Sequence, residues 1–370
     1  MEPVCRTGSG AILRNYALLE GLSRLGHVTH IAIEDHLPRD QHIRREENRV
    51  AIVLPDAFLD LIEARIAKLK PELVLVEGVY LAQLADRLLG AGHKLVLDMH
   101  NVESLLREET GRARRGWLAP VLYSRRWGLA RAREATLAQT VHLVLVCSDC
   151  DARRITALAN LKSAHVVPNP IPAWCNDTEL TPIRADGAFN VLFVGYLSYF
   201  PNVAAARRLA RSIMPRLRKV LPVAELTLAG RKPDLQITAM AARFDWVSLY
   251  ADPPDLAPLY ARATCALIPL TEGGGTRLKV LEAMAVGRPV IATAKAVEGL
   301  GLVDGKTYLA AESDDDFVSA CLRLANSPQL RTELISRGRE TVLERHGPET
   351  IFSALSAALS EKAAAPTTSS

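Results

Sequence analysis

The sequence contains no run of ~20 apolar residues, so no stretch of it reads as a membrane-spanning helix. Residues Met1 to Gly10 lack the charged start and apolar stretch of a secretory signal, and the expected location is cytoplasmic. Net charge is scarce too: 45 Lys and Arg against 41 Asp and Glu leave +4, and the two signs are mostly interleaved. That balance gives no support to nucleic-acid binding. Of six cysteines only Cys147 and Cys150 have a CxxC spacing, and a second pair is missing, so a zinc site is not expected and no metal is assigned. Cys147 ends the apolar run Val141 to Val146, and Ser148 and Asp149 read as a helix cap, which makes buried or incidental thiols the simpler reading. No GxGxxG follows a strand, which argues against an oxidoreductase.

What is present is the material of a folded α/β protein. A 370-residue chain with 49% hydrophobic and 23% charged residues can pack a real core, and its length suggests two domains. Short apolar runs alternate with helical patterns, the mark of parallel sheets covered by helices on both faces. In the first half the expected strands are Val28 to Ile33, Ala51 to Leu54, Leu73 to Val76, Lys94 to Leu97, Leu143 to Val146 and His165 to Val167. In the second they are Asn190 to Val194, Ala224 to Ala229, Trp246 to Tyr250, Cys265 to Pro269 and Pro289 to Thr293. A helix over Ala11 to Leu25 is expected to turn Ile12, Tyr16, Leu19, Leu22 and Leu25 inward. A second, over Asn202 to Val220, is expected to bury Val203, Ala206, Ala210, Ile213 and Leu217. The expected division is an N-terminal Rossmann-like domain over 1–172, a linker over 173–187, and a C-terminal Rossmann-like domain over 188–347. A C-terminal helix over 348–362 is expected to pack back on the first domain, followed by a disordered tail over 363–370.

The most informative segment runs from Gly273 to Thr293 and reads as a glycine loop, a helix and a strand. Gly273, Gly274 and Gly275 carry no side chain where a ligand must approach the main chain, and Thr276 is expected to cap the helix. Unpaired amides of that first turn would face an anion, with Arg277 and Lys279 adding positive charge. Glu282 lies nearly two turns in, where an unpaired carboxylate is expensive. The vicinal hydroxyls of a ribose would satisfy it; an ordinary glycine-rich connection with a salt-bridged glutamate is the alternative. Gly287 is expected to end the helix in the left-handed conformation.

Other candidates are spread along the chain. Asp98 and His100 follow a strand directly, at the carboxyl edge where open parallel sheets bind ligands. Gly8, Ser9 and Gly10 precede the first helix and would offer amides to a phosphate or an acceptor, although only Val4 and Cys5 stand before them as strand residues. The stretch 107–133 is rich in arginine with Trp117, Tyr123 and Trp127 interleaved, and suits either a solvated helix face or peripheral contact with an anionic membrane.

The glycine segment resembles the donor-binding signature of glycosyltransferase family 4, in a variant with a glycine triplet before Thr-Arg-Leu-Lys. Val194-Gly195, Leu228-Ala229-Gly230, Pro168-Asn169-Pro170 and the run Asp98 to Glu103 extend the resemblance over nearly the whole chain. It implies a GT-B fold, two Rossmann-like domains facing each other across a cleft. It also implies a retaining, metal-independent transfer of a sugar from a nucleoside diphosphate donor to an acceptor hydroxyl, with no further cofactor. Similar enzymes often use lipid-linked acceptors, and polysaccharide, glycolipid or other glycoconjugate synthesis is the implied setting. On the residues themselves, His100 is placed near the donor sugar, while Gly195, Gly230, Arg231, the glycine triplet, Thr276 and Glu282 are placed on the donor. Two positions depart from the family. Its first signature glutamate is displaced or absent, since Gly274 lies eight before Glu282 and Glu272 ten before it. Its usual Arg and Lys after Val-Gly are missing, with Tyr196 and Pro201-Asn202 in their place, so Arg277 and Lys279, with Arg231 or Lys232, are expected to meet the diphosphate. Two other readings stand beside this one. A UDP-sugar epimerase would need acid and base carboxylates, for which Glu272 and Asp98 are the candidates; a catalytically degenerate homologue would bind a sugar nucleotide without transfer.

Overall fold

The computed structural model describes residues 10–32, 44–45, 52–115, 119–176 and 188–363. By its internal contacts the chain divides into two compact units, Met1–Pro170 with Pro348–Ser370, and Ile171–Gly347. The chain crosses between them at Pro170–Ile171, earlier than the start of the expected linker. Ile171 and Cys175 are buried in the core of the second unit, and the short helix Ala173–Asn176 sets Trp174 against Tyr260, ring centroids 5.7 Å apart.

In the first unit, β1 (Arg44–Arg45) and β2 (Ile52–Val53) form a small antiparallel pair. The main sheet is parallel throughout, in the order β3 (Val74–Glu77), β4 (Leu95–Met99), β5 (Leu143–Val146), β6 (His165–Val166). Strand alternation sends successive residues to opposite faces. Leu95, Leu97 and Val146 face a core with the helices Asp56–Leu69, Ala82–Gly90 and Asp149–Ala159, whereas Val96, Leu143 and Leu145 face Leu18, Ile351 and Leu355. Those last three come from the helices Gly10–Leu25 and Pro348–Ala363, which pack together through the ion pair of Arg24 with Glu349 and the Arg24 guanidinium over Phe352.

Two expectations fail here. Residues 28–32 form no strand, because β3 is the last strand on that side among the described residues and they find no ladder to join. The first helix buries Ile12, Leu13, Arg14, Leu18 and Gly21 and leaves Leu25 exposed, so its inward face is rotated from the expected stripe. The cause is Arg14, a charged residue that the apolar spacing excluded and that the structure holds inside by pairing it.

The second unit carries a six-stranded parallel sheet in the order β12-β11-β10-β7-β8-β9. Its strands are β7 (Phe189–Val194), β8 (Ala224–Gly230), β9 (Val247–Ala251), β10 (Cys265–Ile268), β11 (Val290–Ala292) and β12 (Leu309–Ala310). Numbered within the unit, this is the doubly wound Rossmann order, whose strand sequence reverses between β7 and β10. Chains leaving β7 and β10 part in opposite directions at that point and open a crevice at the carboxyl edge. The helix after β7 runs from Phe200 to Val220 through a π turn at Leu209–Ile213; Pro215, which has no amide to give, stands two residues beyond it. Ala206, Ala210, Ile213 and Leu217 are buried as expected, while Val203 is half-buried. The fold class is therefore α/β with two parallel sheets. No helix of the described residues is long and apolar enough to cross a membrane.

Candidate functional site

The glycine turn connects β10 to the helix Leu278–Ala285 at this switch point. Gly273 and Gly275 take φ values of 115° and 66°, which L side chains rarely adopt, and this explains the triplet locally. The helix ends as expected, with Gly287 at φ 69° and the Arg288 amide donating back to the Ala283 carbonyl at 2.7 Å.

Arg277 is not where the sequence put it. Its guanidinium donates to the carbonyls of Gly273, Gly274 and Gly275, and the side chain is only 8% exposed. It braces the turn from behind instead of projecting toward an anion. Thr276 is not the cap either: the helix starts at Leu278, Arg277 occupies the cap position, and no side chain caps it.

This brace orients the loop. The C=O and N–H of a trans peptide point in opposite directions. Carbonyls of Gly273, Gly274 and Gly275 drawn toward Arg277 therefore send the amides of Gly274, Gly275 and Thr276 the other way. Those three amides meet no acceptor among the described residues. Successive amides on one side of a turn with alternating φ sign form an anion-binding concavity, here at a helix N-terminus.

Lys279 enters the crevice from that helix. Its ammonium donates to Asn202 Oδ1 at 2.6 Å and lies 4.2 Å from the Phe193 ring centroid. Asn202 in turn donates to the Tyr196 carbonyl at 2.9 Å, so Pro201-Asn202, read as a loss from the family pattern, supplies the anchor of the cation. A Cβ on Gly195 would stand 2.8 Å from both Lys279 Nζ and Asn202 Nδ2, so a side chain here would displace that pair. Burial, with repulsion from Arg277, draws the Lys279 pKa down to about 7 against the pull of Glu282.

Gly230 closes the other side. At φ 143° its Cβ would fall 1.8 Å from the Gly195 carbonyl oxygen, a backbone clash that no rotamer relieves. Gly230→Ala is expected to destabilise the fold by about 3 kcal/mol, seen as a lower urea midpoint at unchanged m-value. Arg231 and Lys232 follow on the exposed loop, where the Lys232 amide donates to Asp252 at 3.0 Å.

Glu282 is buried and its Oε2 accepts from the Tyr260 hydroxyl at 2.9 Å; burial pushes its pKa up in spite of that bond and of Lys279. The partner sought for this carboxylate is thus partly internal, and Tyr260 was not legible as one. Oε1 takes no hydrogen bond among the described residues. Glu272 is buried and accepts from the Thr271 hydroxyl at 2.8 Å.

The first unit has its own polar group at the carboxyl ends of β3, β4 and β5. Asp98 is fully buried and takes two donors from Arg14, which also reaches the Val167 carbonyl at 2.6 Å and Asn169 at 3.0 Å. Burial alone would raise the Asp98 pKa, but the Arg14 guanidinium outweighs it and holds the carboxyl at about 2. A carboxylate so held is no acid or base, which removes one of the two epimerase candidates. His100 is 19% exposed, with Nε2 3.0 Å from Asn15 Oδ1 and 3.2 Å from Asp98 Oδ2.

Cys147 is buried with its pKa pushed up to about 12, and Ser148 caps the next helix, as the buried-thiol reading expects. In the basic stretch, Arg112 and Arg131 pair with Glu108 and Arg133 with Asp86, while Arg125 and Arg126 are exposed. Gly8 and Ser9 lie outside the described residues, as do Trp117 and Leu118; Gly10 opens the first helix. No group of three or more His, Cys, Asp or Glu side chains suited to a metal ion occurs among the described residues.

Residues 188–327, all in the second unit, match the family model described as Glycosyl transferases group 1. No curated protein sequence matches the chain. Among solved structures the chain is similar to a glycosyltransferase from Rickettsia africae, with a TM-score of 0.65 at 13% identity over 97% of this chain and 96% of that one. It is also similar to Anabaena HepE in complex with UDP-glucose, with a TM-score of 0.61 at 14% identity over 83% and 84% of the two chains. A third is TarM of S. aureus, solved with UDP, with a TM-score of 0.61 at 14% identity over 81% of this chain; the chain spans 58% of TarM's length. At these identities the likeness is one of fold, and the fold is that of the GT-B glycosyltransferases.

Proposed function

We propose that this chain, built on a glycosyl transferases group 1 domain, moves a sugar from a nucleoside diphosphate donor to an acceptor hydroxyl with retention of configuration. The observation that carries the reading is the braced glycine turn: three amides facing away from Arg277, at a Rossmann switch point, beside the half-buried ammonium of Lys279. A diphosphate has the charge and the acceptor oxygens for that concavity. As the bond to the sugar breaks, negative charge grows on the departing phosphate, and fixed amides with a nearby cation stabilise it without having to reorient. The phosphate oxygen itself takes the acceptor proton, so the reaction needs no separate base and the site carries its own positive charge.

Glu282 Oε1 is assigned to the ribose hydroxyls, two donors for which Tyr260 leaves room on the carboxylate. Glu282→Gln is expected to weaken sugar-nucleotide binding about tenfold by calorimetry, the range of one hydrogen bond to a charged group. His100, on the first unit, is assigned to a sugar hydroxyl. The basic helices are assigned to solvent, since Glu108 and Asp86 neutralise part of their charge.

The test is a panel of sugar nucleotides scored first by thermal stabilisation and then by transfer and donor hydrolysis. A donor that raises the melting temperature and is turned over supports the proposal. Binding without turnover across the acceptors tried favours the degenerate homologue, and a panel with no binder at all overturns the site.

A further inference from the structure

Beside His100, and outside every residue assigned so far, stand Asn15 and Glu77. Glu77 ends β3 and is the register partner of Asp98 on β4, and Asn15 sits in the first helix next to Arg14. The Asn15 amide nitrogen donates to the Glu77 carboxylate, and its carbonyl oxygen lies 3.0 Å from His100 Nε2. Charged groups around Glu77 are Asp98, His100 and Arg14, with the Cys147 thiol behind Arg14.

An amide can face a neighbour with either end, and something must choose. Ionised Glu77 only accepts, so it claims the NH2 end of Asn15 and leaves the carbonyl oxygen for the ring. Asp98, held ionised by Arg14, is a second acceptor at 3.2 Å from the same ring nitrogen. Two acceptors at Nε2 require a proton there. In the neutral ring Nδ1 then bears the lone pair, and Nδ1 takes no partner among the described residues.

We infer that Glu77, acting through Asn15, is a positioning residue that fixes the tautomer of His100, so that the ring offers Nδ1 as an acceptor to a ligand hydroxyl. The inference rests on the reading of His100 as a partner of a sugar hydroxyl and says which way round the partnership runs: the hydroxyl donates and the ring accepts. Burial, with repulsion from Asp98, raises the Glu77 pKa to about 7, in spite of His100, Asn15 and Arg14. A protonated Glu77 can donate, and Asn15 is then free to turn over and withdraw its acceptor from the ring.

The experiment is nitrogen NMR on the full chain labelled with 15N in its histidine rings, at a pH above the Glu77 titration and without donor or acceptor. His100→Gln assigns the signal. The wild-type ring is expected in the Nε2–H form with an unprotonated Nδ1. Glu77→Leu and Asn15→Leu are each expected to speed exchange of the Nε2 proton about tenfold, the loss of one hydrogen bond, and to populate the second tautomer. Glu77→Gln fills the same space but can donate to Asn15 as a protonated Glu77 does, so it is expected to show the pattern of the leucine variants, a change that a merely structural role would not produce. Backbone amide spectra check that each variant is folded. An Nδ1–H ring in the wild type overturns the inference, and so do leucine variants whose ring signals match the wild type. Because no turnover is measured, either result is separable from a failure of the sugar-transfer reading.

Discussion

Replacement of Lys279 by methionine is expected to lower kcat for sugar transfer by about 10²- to 10³-fold, the usual range for removal of one preorganised donor at a developing oxyanion. Methionine fills a similar volume, so the fold is expected to persist. The ammonium is held in the crevice by chain atoms on both sides, Asn202 Oδ1 and the Phe193 ring. Arg277, the other candidate, has its guanidinium on the turn's carbonyls. Single-turnover kinetics with saturating donor would separate the loss in chemistry from any loss in binding. A variant with wild-type turnover would remove Lys279 from the mechanism.

The same residue gives a pH signature. With its pKa drawn down to about 7 by burial and by Arg277, the free ammonium is lost as pH rises through neutrality. Affinity for a sugar nucleotide, whose esterified diphosphate does not titrate there, is expected to fall between about pH 6 and 8, and Lys279→Met is expected to flatten that slope. Stability moves the other way. Between the folded value near 7 and the ordinary lysine value of 10.5 the unfolded chain holds the extra proton, so this group's contribution to stability rises with pH across that window. Below about pH 7 both states are charged and the cost of burying the ammonium is present in full.

What the sequence made legible was local. The glycine triplet, Lys279, Glu282 and the left-handed Gly287 lie within fifteen residues, and turn conformation and helix register follow from nearest neighbours. What it hid was the direction of side chains and the partners far along the chain. Nothing in Gly-Gly-Gly-Thr-Arg says whether the guanidinium turns outward or folds back; that depends on the φ signs of Gly273 and Gly275. Asn202 is 77 residues from Lys279, Tyr260 is 22 from Glu282, and Asn15 is 85 from His100. A charged residue inside an apolar stripe, Arg14, was the one local clue to the polar group of the first unit. The missing strand at residues 28–32 shows the same limit, since a strand exists only with a neighbour to pair with.

Arg277→Ala carries the second large effect, and its pattern distinguishes a brace from a phosphate ligand. Without the guanidinium, three carbonyls lose their common donor, and the amides of Gly274, Gly275 and Thr276 lose their fixed direction. Misplacement of oriented groups by about 1 Å commonly costs 10²-fold in rate, and a loss of about that size in kcat/KM is expected here. A residue that touched phosphate would, when shortened, weaken binding of UDP and of a sugar nucleotide while leaving stability alone. A brace predicts in addition a loss of about 1–3 kcal/mol in unfolding free energy measured without ligand, because its bonds are made by the free protein. Arg277→Lys tests the geometry. One ammonium cannot reproduce the planar fork that reaches three carbonyls, so lysine is expected to restore little of either loss even though it restores the charge. Full rescue by lysine would return Arg277 to the anion and leave the amides of the turn without the orientation that the proposed chemistry requires.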